Sequence, residues 1–359
     1  MIVNYSCNNF KSFKNEVNFS LIPEPSITNL KENINNNLLK GLLFVGANAS
    51  GKTNSISVLE LLLEILYFDD FQMKNYVNIF TRKDISMEYR FNIDNSIIDY
   101  KLNYYTSLET MEEFLYIDSQ IVFHRQDLAF TSHTIKNITI EKEVPAIRNV
   151  LEKATGKLSK LYDFLNNSAV IDLYNNAING SKYKHYNPRI NYTSKEVDLI
   201  NDFLKTYNFE YRIAMDKETG IIDDVYFLRI GCDVKIPFKM ESIGNRNLIY
   251  ILPIFKEVMQ NNGMLILDEF GSCMHNELEQ LLVRYFMTNS KMAQIFMVSH
   301  STNLLSNSLL RADQIYSLDF IDSSTIAERF SKENPRKGQN LEKMYLGGVF
   351  GGLPKYTKE

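Results

Sequence analysis

Apolar and polar positions change period several times along the chain, and each change marks an element. From residue 2 to residue 22 they alternate loosely, with Val3, Tyr5, Phe10, Phe13, Val17 and Phe19 as the apolar set. This predicts one or two antiparallel strands around a polar turn. Residues 23–37 are polar, carry two prolines and predict a loop. "GLLFVG" (Gly41–Gly46) is a short unbroken apolar run, the pattern of a buried strand. From Lys52 to Tyr67, Ile56, Leu59, Leu63 and Leu66 recur at helical spacing. Between 77 and 130 the runs "MEYRFNI", "IIDYKLNYY", "EEFLYID" and "QIVFHR" alternate or are β-branched and aromatic, and they predict strands.

At about residue 143 the pattern shifts. "VPAIRNVLEKATGKLSKLYDFLNNSAVIDLYNNAI" and "TSKEVDLINDFLKTY" read as helices. Residues 211–238 return to strands, with "KETG" as a turn between "FEYRIAM" and "IIDDVYFLRI". The chain then alternates: helix 242–259, strand "MLILDEF", helix 275–289, strand "QIFMVSH", helix 301–310, strand "DQIYSLDF". Strands alternating with helices predict a mainly parallel sheet of an α/β fold. Three parts follow: 1–140, with a β layer and the first strand–loop–helix unit; 141–210, an inserted helical subdomain; and 211–359, the rest of the α/β layer. The 359 residues suffice for this. There is no internal repeat and no sustained heptad pattern.

Composition narrows the picture. The net charge is −4, so no global basic field favours nucleic acid. The best local basic–aromatic stretch is "SKYKHYNPR", with Lys182, Tyr183, Lys184, His185, Tyr186 and Arg189. A solvated loop is the favoured reading of it. Cys7, Cys232 and Cys273 are far apart and form no CxxC pair, which argues against a disulfide framework. The N-terminus lacks a basic segment followed by an apolar one. No apolar run approaches the ~20 residues of a membrane span. The longest, "LELLLEIL", is broken by Glu60 and Glu64. A soluble, cytoplasmic protein is expected.

The chemistry begins at "GANASGKT". Gly46, Gly51, Lys52 and Thr53 satisfy Gly-x-x-x-x-Gly-Lys-Ser/Thr, between a predicted strand and a predicted helix. Glycines let backbone N–H groups turn toward phosphate oxygens, and the helix start adds its positive end. The loop residues Asn48, Ala49, Ser50 and Asn54 belong to the same cradle. Lys52 is expected to reach the β- and γ-phosphates of ATP, and Thr53 to ligate Mg2+. "GMLILDEF" then delivers Asp268 and Glu269 at the end of an apolar strand. Asp268 is expected to hold Mg2+ and Glu269 to deprotonate the attacking water. His300 ends the next strand, where an imidazole can report on the γ-phosphate. Ser242 and Gly244 in "ESIGNRN" open a predicted helix, a setting suited to an anion.

In this order the motifs resemble ABC-type ATPases of the SMC/OLD branch, in particular stand-alone abortive-infection-type ATP/GTP phosphatases. "NFKSFKNEVNFSL", "GANASGKTN", "ESIGNRNLI", "LILDEF", "VSHSTNLL", "RADQIYSL" and "PRKGQNLEKMYLGGVFGGLP" are similar to that group's blocks and cover residues 1–70 and 240–355. The resemblance implies an ABC-type P-loop head with a mixed sheet, an N-terminal antiparallel β layer and a helical insertion. It also implies ATP held between two copies: Lys52, Thr53, Asp268, Glu269 and His300 act in cis, and Ser242 and Gly244 in trans. His275 and Asn276 then stand at the subunit interface or simply cap a helix.

The signature departs from the transporter form at Ile243 and Asn245. The glutamine that usually couples Mg2+ to the lid is unplaced, with Gln72, Gln120 and Gln126 as candidates. Slow or partner-dependent hydrolysis is the expectation. About 40 residues follow Asp319, too few for a nuclease fold, so a separate nuclease or toxin is the expected effector in anti-phage defence. The alternative is a DNA-repair or chromosome-maintenance ATPase. A transporter subunit fits poorly, because the transporter signature is missing. Gly347, Gly348, Gly351 and Gly352 read as a tail turning against the core.

Overall fold

The computed structural model describes residues 1–68, 71–173, 175, 177–180, 192–216, 219–220 and 224–354. Their frame is two seven-stranded sheets. The central one runs, in spatial order, Ala177–Asn179, Ala169–Asp172, Met264–Asp268, Gln294–Val298, Gly41–Gly46, Ile315–Ile321 and Ser324–Arg329. Its five inner strands are parallel. The two edge strands are antiparallel to their neighbours.

Strand Gly41–Gly46 shows why this sheet lies at the centre. Leu42 and Phe44 point into one core, and Leu43 and Val45 into another. A strand covered on both faces has no polar side to show, hence the unbroken apolar run. The first face carries helix α1 (Lys52–Tyr67). Ile56, Val58, Leu59, Leu61, Leu62, Leu63, Ile65 and Leu66 are all buried, so α1 is apolar well beyond one stripe. The reason is a second sheet on its far side, antiparallel throughout, built from Ile2–Asn8, Val17–Ser20 and the strands between 85 and 131. Tyr5, Met87, Tyr89 and Leu102 of that sheet share a core with α1. Helices α2 (Ala146–Glu152) and α3 (Lys157–Asn166) close this layer.

The other face of the central sheet carries α4 (Ser194–Thr206), α5 (Ile243–Gln260) and α6 (Asn276–Asn289). A three-stranded sheet of Tyr211–Met215, Val225–Arg229 and Lys235–Pro237 flanks them. Near the C-terminus, α7 (Leu341–Leu346) and the glycine-rich turn fold back. Phe350 stacks on Phe330 at 3.8 Å between ring centroids, and Gly352 N–H donates to Asp319 Oδ2 at 2.8 Å.

Two helical readings are corrected. "SAVIDLYNNAI" begins as a strand: Ala169–Asp172 pairs in parallel with Leu265–Asp268. Ser168 ends α3's path by bonding Phe164 O and also accepts Met264 N–H, which stitches the next residues to the sheet. A short apolar run has no period that separates helix from strand. The segment 301–310 makes only a 3-10 turn, Thr302–Leu305. Ser299 and Ser306 accept nearby backbone N–H groups, in competition with a helical ladder. "KETG" lies partly outside the described residues, and 182–189 wholly so.

Candidate nucleotide site

The site sits where the inner strands of the central sheet end. Strand Gly41–Gly46 turns sharply and α1 begins at Lys52. Two residues of the turn have left-handed backbone, Ala49 (φ 61°) and Gly51 (φ 98°). Gly51 is required twice over: a Cβ there would meet Thr325 Oγ1 at 2.2 Å and Ser12 Oγ at 2.7 Å. Those hydroxyls brace the loop. Thr325 Oγ1 donates to Ser50 O at 2.9 Å and is left to accept from the Ser12 hydroxyl at 2.7 Å, and Asn54 Nδ2 donates to Ser12 Oγ at 2.7 Å.

Lys52 folds back over the loop, its Nζ donating to Gly46 O at 3.1 Å and Ala47 O at 2.8 Å. Burial draws its pKa below the ordinary lysine value, against the opposing pull of Glu269 and Asp268. Thr53 Oγ1 donates to Asp268 Oδ1 at 3.2 Å. Asp268 also accepts Glu269 N–H at 3.1 Å. Burial raises the Asp268 pKa, Thr53 and the Glu269 amide lower it, and Glu269 and Asp172 raise it again. Glu269 has left-handed backbone (φ 51°), strain of the kind found where a side chain must be aimed. His300 Nε2 stands 3.7 Å from Glu269 Oε1. Partial burial and then Lys52 lower the His300 pKa below 6.5, and Glu269 resists this. The shift favours the neutral imidazole.

These residues fit a magnesium–nucleoside triphosphate. The ammonium holds only carbonyl oxygens, Ser50 Oγ is buried without a partner, and Thr53 and Asp268 present adjacent oxygens. Among the described residues no cluster of three or more His, Cys, Asp or Glu is disposed to hold a metal. Mg2+ takes one or two protein oxygens, such as those of Thr53 and Asp268, and completes its shell with phosphate and water.

Other expected residues lie elsewhere. Ser242 caps α5 by accepting Asn245 N–H at 3.2 Å. Gly244 lets α5 approach the 270–274 turn, since a Cβ would lie 2.6 Å from Cys273 O. Asn247 Nδ2 donates to Ser272 O across the same seam. Ser242 is exposed and stands on a different element from the loop at Gly46–Lys52. His275 caps α6, its Nδ1 accepting Glu277 N–H at 3.3 Å, and Asn276 is the first residue of that helix. Gln120 and Gln126 end one strand of the antiparallel sheet, and Gln72 precedes a 3-10 turn. Among the described residues none of the three is hydrogen-bonded to Lys52, whose ammonium holds Gly46 O and Ala47 O.

Three contributors escape a motif search. Ser12 and Thr325 are 313 residues apart and meet only in the folded chain, where the turn at Ser12 lies against the last strand of the central sheet. Asp172 lies opposite Asp268 in the parallel register. "AVID" ends an apolar run on an acid just as "LILD" does, and that parallel is the signal that could have exposed it.

The fold is that of ABC-type P-loop ATPase heads. The family model described as "AAA domain, putative AbiEii toxin, Type IV TA system" matches residues 42–306, and the chain belongs to that family. No curated protein gives a significant match. Among solved structures, the SMC head domain from Thermotoga maritima is similar with TM-score 0.50 and 13% identity, covering 91% of this chain and 98% of that one. An SMC head solved with the C-terminal winged-helix domain of ScpA is similar with TM-score 0.54 and 14% identity, covering 92% and 98%. At such identities the likeness is one of fold. No helix among the described residues is long and apolar enough to cross a membrane.

Proposed function

We propose that this chain is an ATPase that closes around Mg–ATP with a second copy of itself and uses that cycle to govern an effector protein, a nuclease or toxin, in defence against phage. The observation that carries the reading is the convergence of Lys52, Thr53, Asp268, Glu269 and His300 where the inner strands of the central sheet end, from three segments spread over 248 residues of sequence. When bound, Mg2+ supplies charge neutralisation at the phosphate oxygens, with Thr53 and Asp268 as its protein ligands. Lys52 releases its loop carbonyls and turns its ammonium to the triphosphate. Glu269 takes the proton of the attacking water. His300, neutral, donates or accepts a hydrogen bond at the terminal phosphate without adding charge.

Ser242 and Gly244 complete the site from the other copy. An exposed hydroxyl at the N-terminus of the 18-residue α5 suits a phosphate that comes with a partner rather than from its own loop. The family's description, which concerns a toxin, supports the regulatory reading. So does an SMC head that carries a separate winged-helix partner on the same fold. The test is phosphate release from Mg–ATP. Glu269→Gln should lower turnover by about two to four orders of magnitude and leave nucleotide binding intact. Unchanged turnover in that variant would remove Glu269 from the chemistry.

A further inference from the structure

Beside the nucleotide loop two phenylalanines stand in solvent. Phe80 is 53% exposed and Phe320 is 44% exposed, and their ring centroids lie 6.0 Å apart at 45°. Exposed aromatics normally sit on loose surface, yet here both supports are rigid. Phe80 lies in a turn where Asn78 Oδ1 accepts the N–H groups of Phe80 and Thr81, both at 3.0 Å. Thr81 Oγ1 donates to Asn9 Oδ1 at 3.0 Å, and Asn78 N–H donates to Asn9 O at 3.0 Å. Phe320 is fixed by pairing with Thr325 in the last strand pair of the central sheet.

The support of Phe320 leads back to the phosphate loop, and Phe80 is joined to it through the ring contact with Phe320. Thr325 is the residue that bonds Ser50 O and Ser12 Oγ, and its own N–H donates to Ser12 O at 2.8 Å. Ser12 in turn holds Asn54 in the first turn of α1. The strand carrying Phe320 runs parallel to Gly41–Gly46, with Leu318 opposite Gly46. Phe320 therefore lies two residues beyond the level at which the loop begins. A nucleotide with its phosphates on that loop must send its base to one side of it, and Phe320, with Phe80 against it, stands on the strand beside the loop.

We infer that Phe80 and Phe320 form a stacking platform for the base of the bound nucleoside triphosphate. The inference rests on the nucleotide reading above and adds the residues that grip the base. Phenyl rings offer a π-face and no hydrogen-bond code, so the platform grips any purine and does not by itself separate ATP from GTP.

The experiment is calorimetric titration of the full chain with Mg–ATP, Mg–GTP and Mg–tripolyphosphate, which has the phosphates and no base. Phe80→Ala with Phe320→Ala should weaken ATP and GTP about tenfold, by loss of base stacking, and leave tripolyphosphate affinity unchanged. Phe80→Tyr with Phe320→Tyr should restore the nucleotides. Equal weakening of all three ligands, or no weakening of any, overturns the platform and leaves the phosphate site standing. Loss of dimer mass with nucleotide affinity unchanged also overturns it, by assigning the rings to a protein contact. Failure of the unaltered chain to bind any of the three would overturn the nucleotide reading, and the platform with it.

Discussion

Glu60 shares α1 with Lys52 but faces a different problem. No opposite charge or hydrogen bond compensates its burial fully. Burial first, and then Glu64, push its pKa up to about 7; Lys11 pulls the other way, and Asp268 and Asp172 add to the rise. The folded chain thus holds this proton more tightly than the unfolded chain, whose glutamate titrates near 4.5. Its stabilising contribution is complete below that value and is lost as pH rises through about 7. Glu60→Gln should therefore stabilise the protein by roughly 2–3 kcal/mol at pH 8 and by much less at pH 5. Urea unfolding at the two pH values reads this; an equal gain at both would refute the titration. Gly51 allows a second residue-level prediction. Gly51→Ala places a methyl against Thr325 and forces alanine to φ 98°. Local strain of about 1–3 kcal/mol should follow, together with at least about a tenfold loss of triphosphate affinity, one decade per 1.4 kcal/mol. Circular dichroism separates the affinity loss from unfolding.

Among the elements, the antiparallel sheet is joined to the helical layer through one buried ion pair. Arg125 Nη1 donates to Glu113 Oε1 at 2.9 Å, with both side chains fully buried. Arg125 also donates to the carbonyls of Asp127, Glu141, Lys142 and Val144. Glu113 accepts Ala146 and Ile147 N–H, so it caps α2 as well. Glu113→Ala should cost about 3–5 kcal/mol, because a buried guanidinium loses its counter-charge. A loss under about 1 kcal/mol in urea unfolding would show that the carbonyls suffice. No motif reveals this pair: Glu113 and Arg125 fall on the inward face of their strands, in phase with Met111, Leu115 and Phe123, where alternation predicts apolar residues. The phosphate loop and the acid pair were legible because each needs fixed residue types at fixed spacing. α1 was legible from four apolar positions, although its full burial depended on a sheet that no local pattern discloses. Strand Ala169–Asp172 was hidden because four residues carry no period, and the turn at 302–305 because leucines suggest helix where serines decide otherwise. Ser12, Thr325 and Asp172 were illegible because tertiary packing and strand register, both long-range properties, bring them to the site.

At the scale of the molecule, the proposed function depends on two surfaces that a single copy does not bring together. Lys52, Thr53, Asp268, Glu269 and His300 gather at the loop. Ser242 stands exposed at the start of α5, packed through Gly244 and Asn247 against the turn that follows Glu269. That seam links the two surfaces within one copy, so closure at one site can be felt at the next. Exposed Met240 and Ile243 beside Ser242 add apolar area on the side expected to meet the second copy. The central claim is that the triphosphate is the clamp between copies. Light scattering of the Glu269→Gln variant, with and without Mg–ATP, tests it most directly. The account predicts the mass of one chain without nucleotide and of two chains with it, with the doubling abolished by adding Ser242→Arg. A mass that ignores Mg–ATP, or a doubling indifferent to Ser242→Arg, would contradict it.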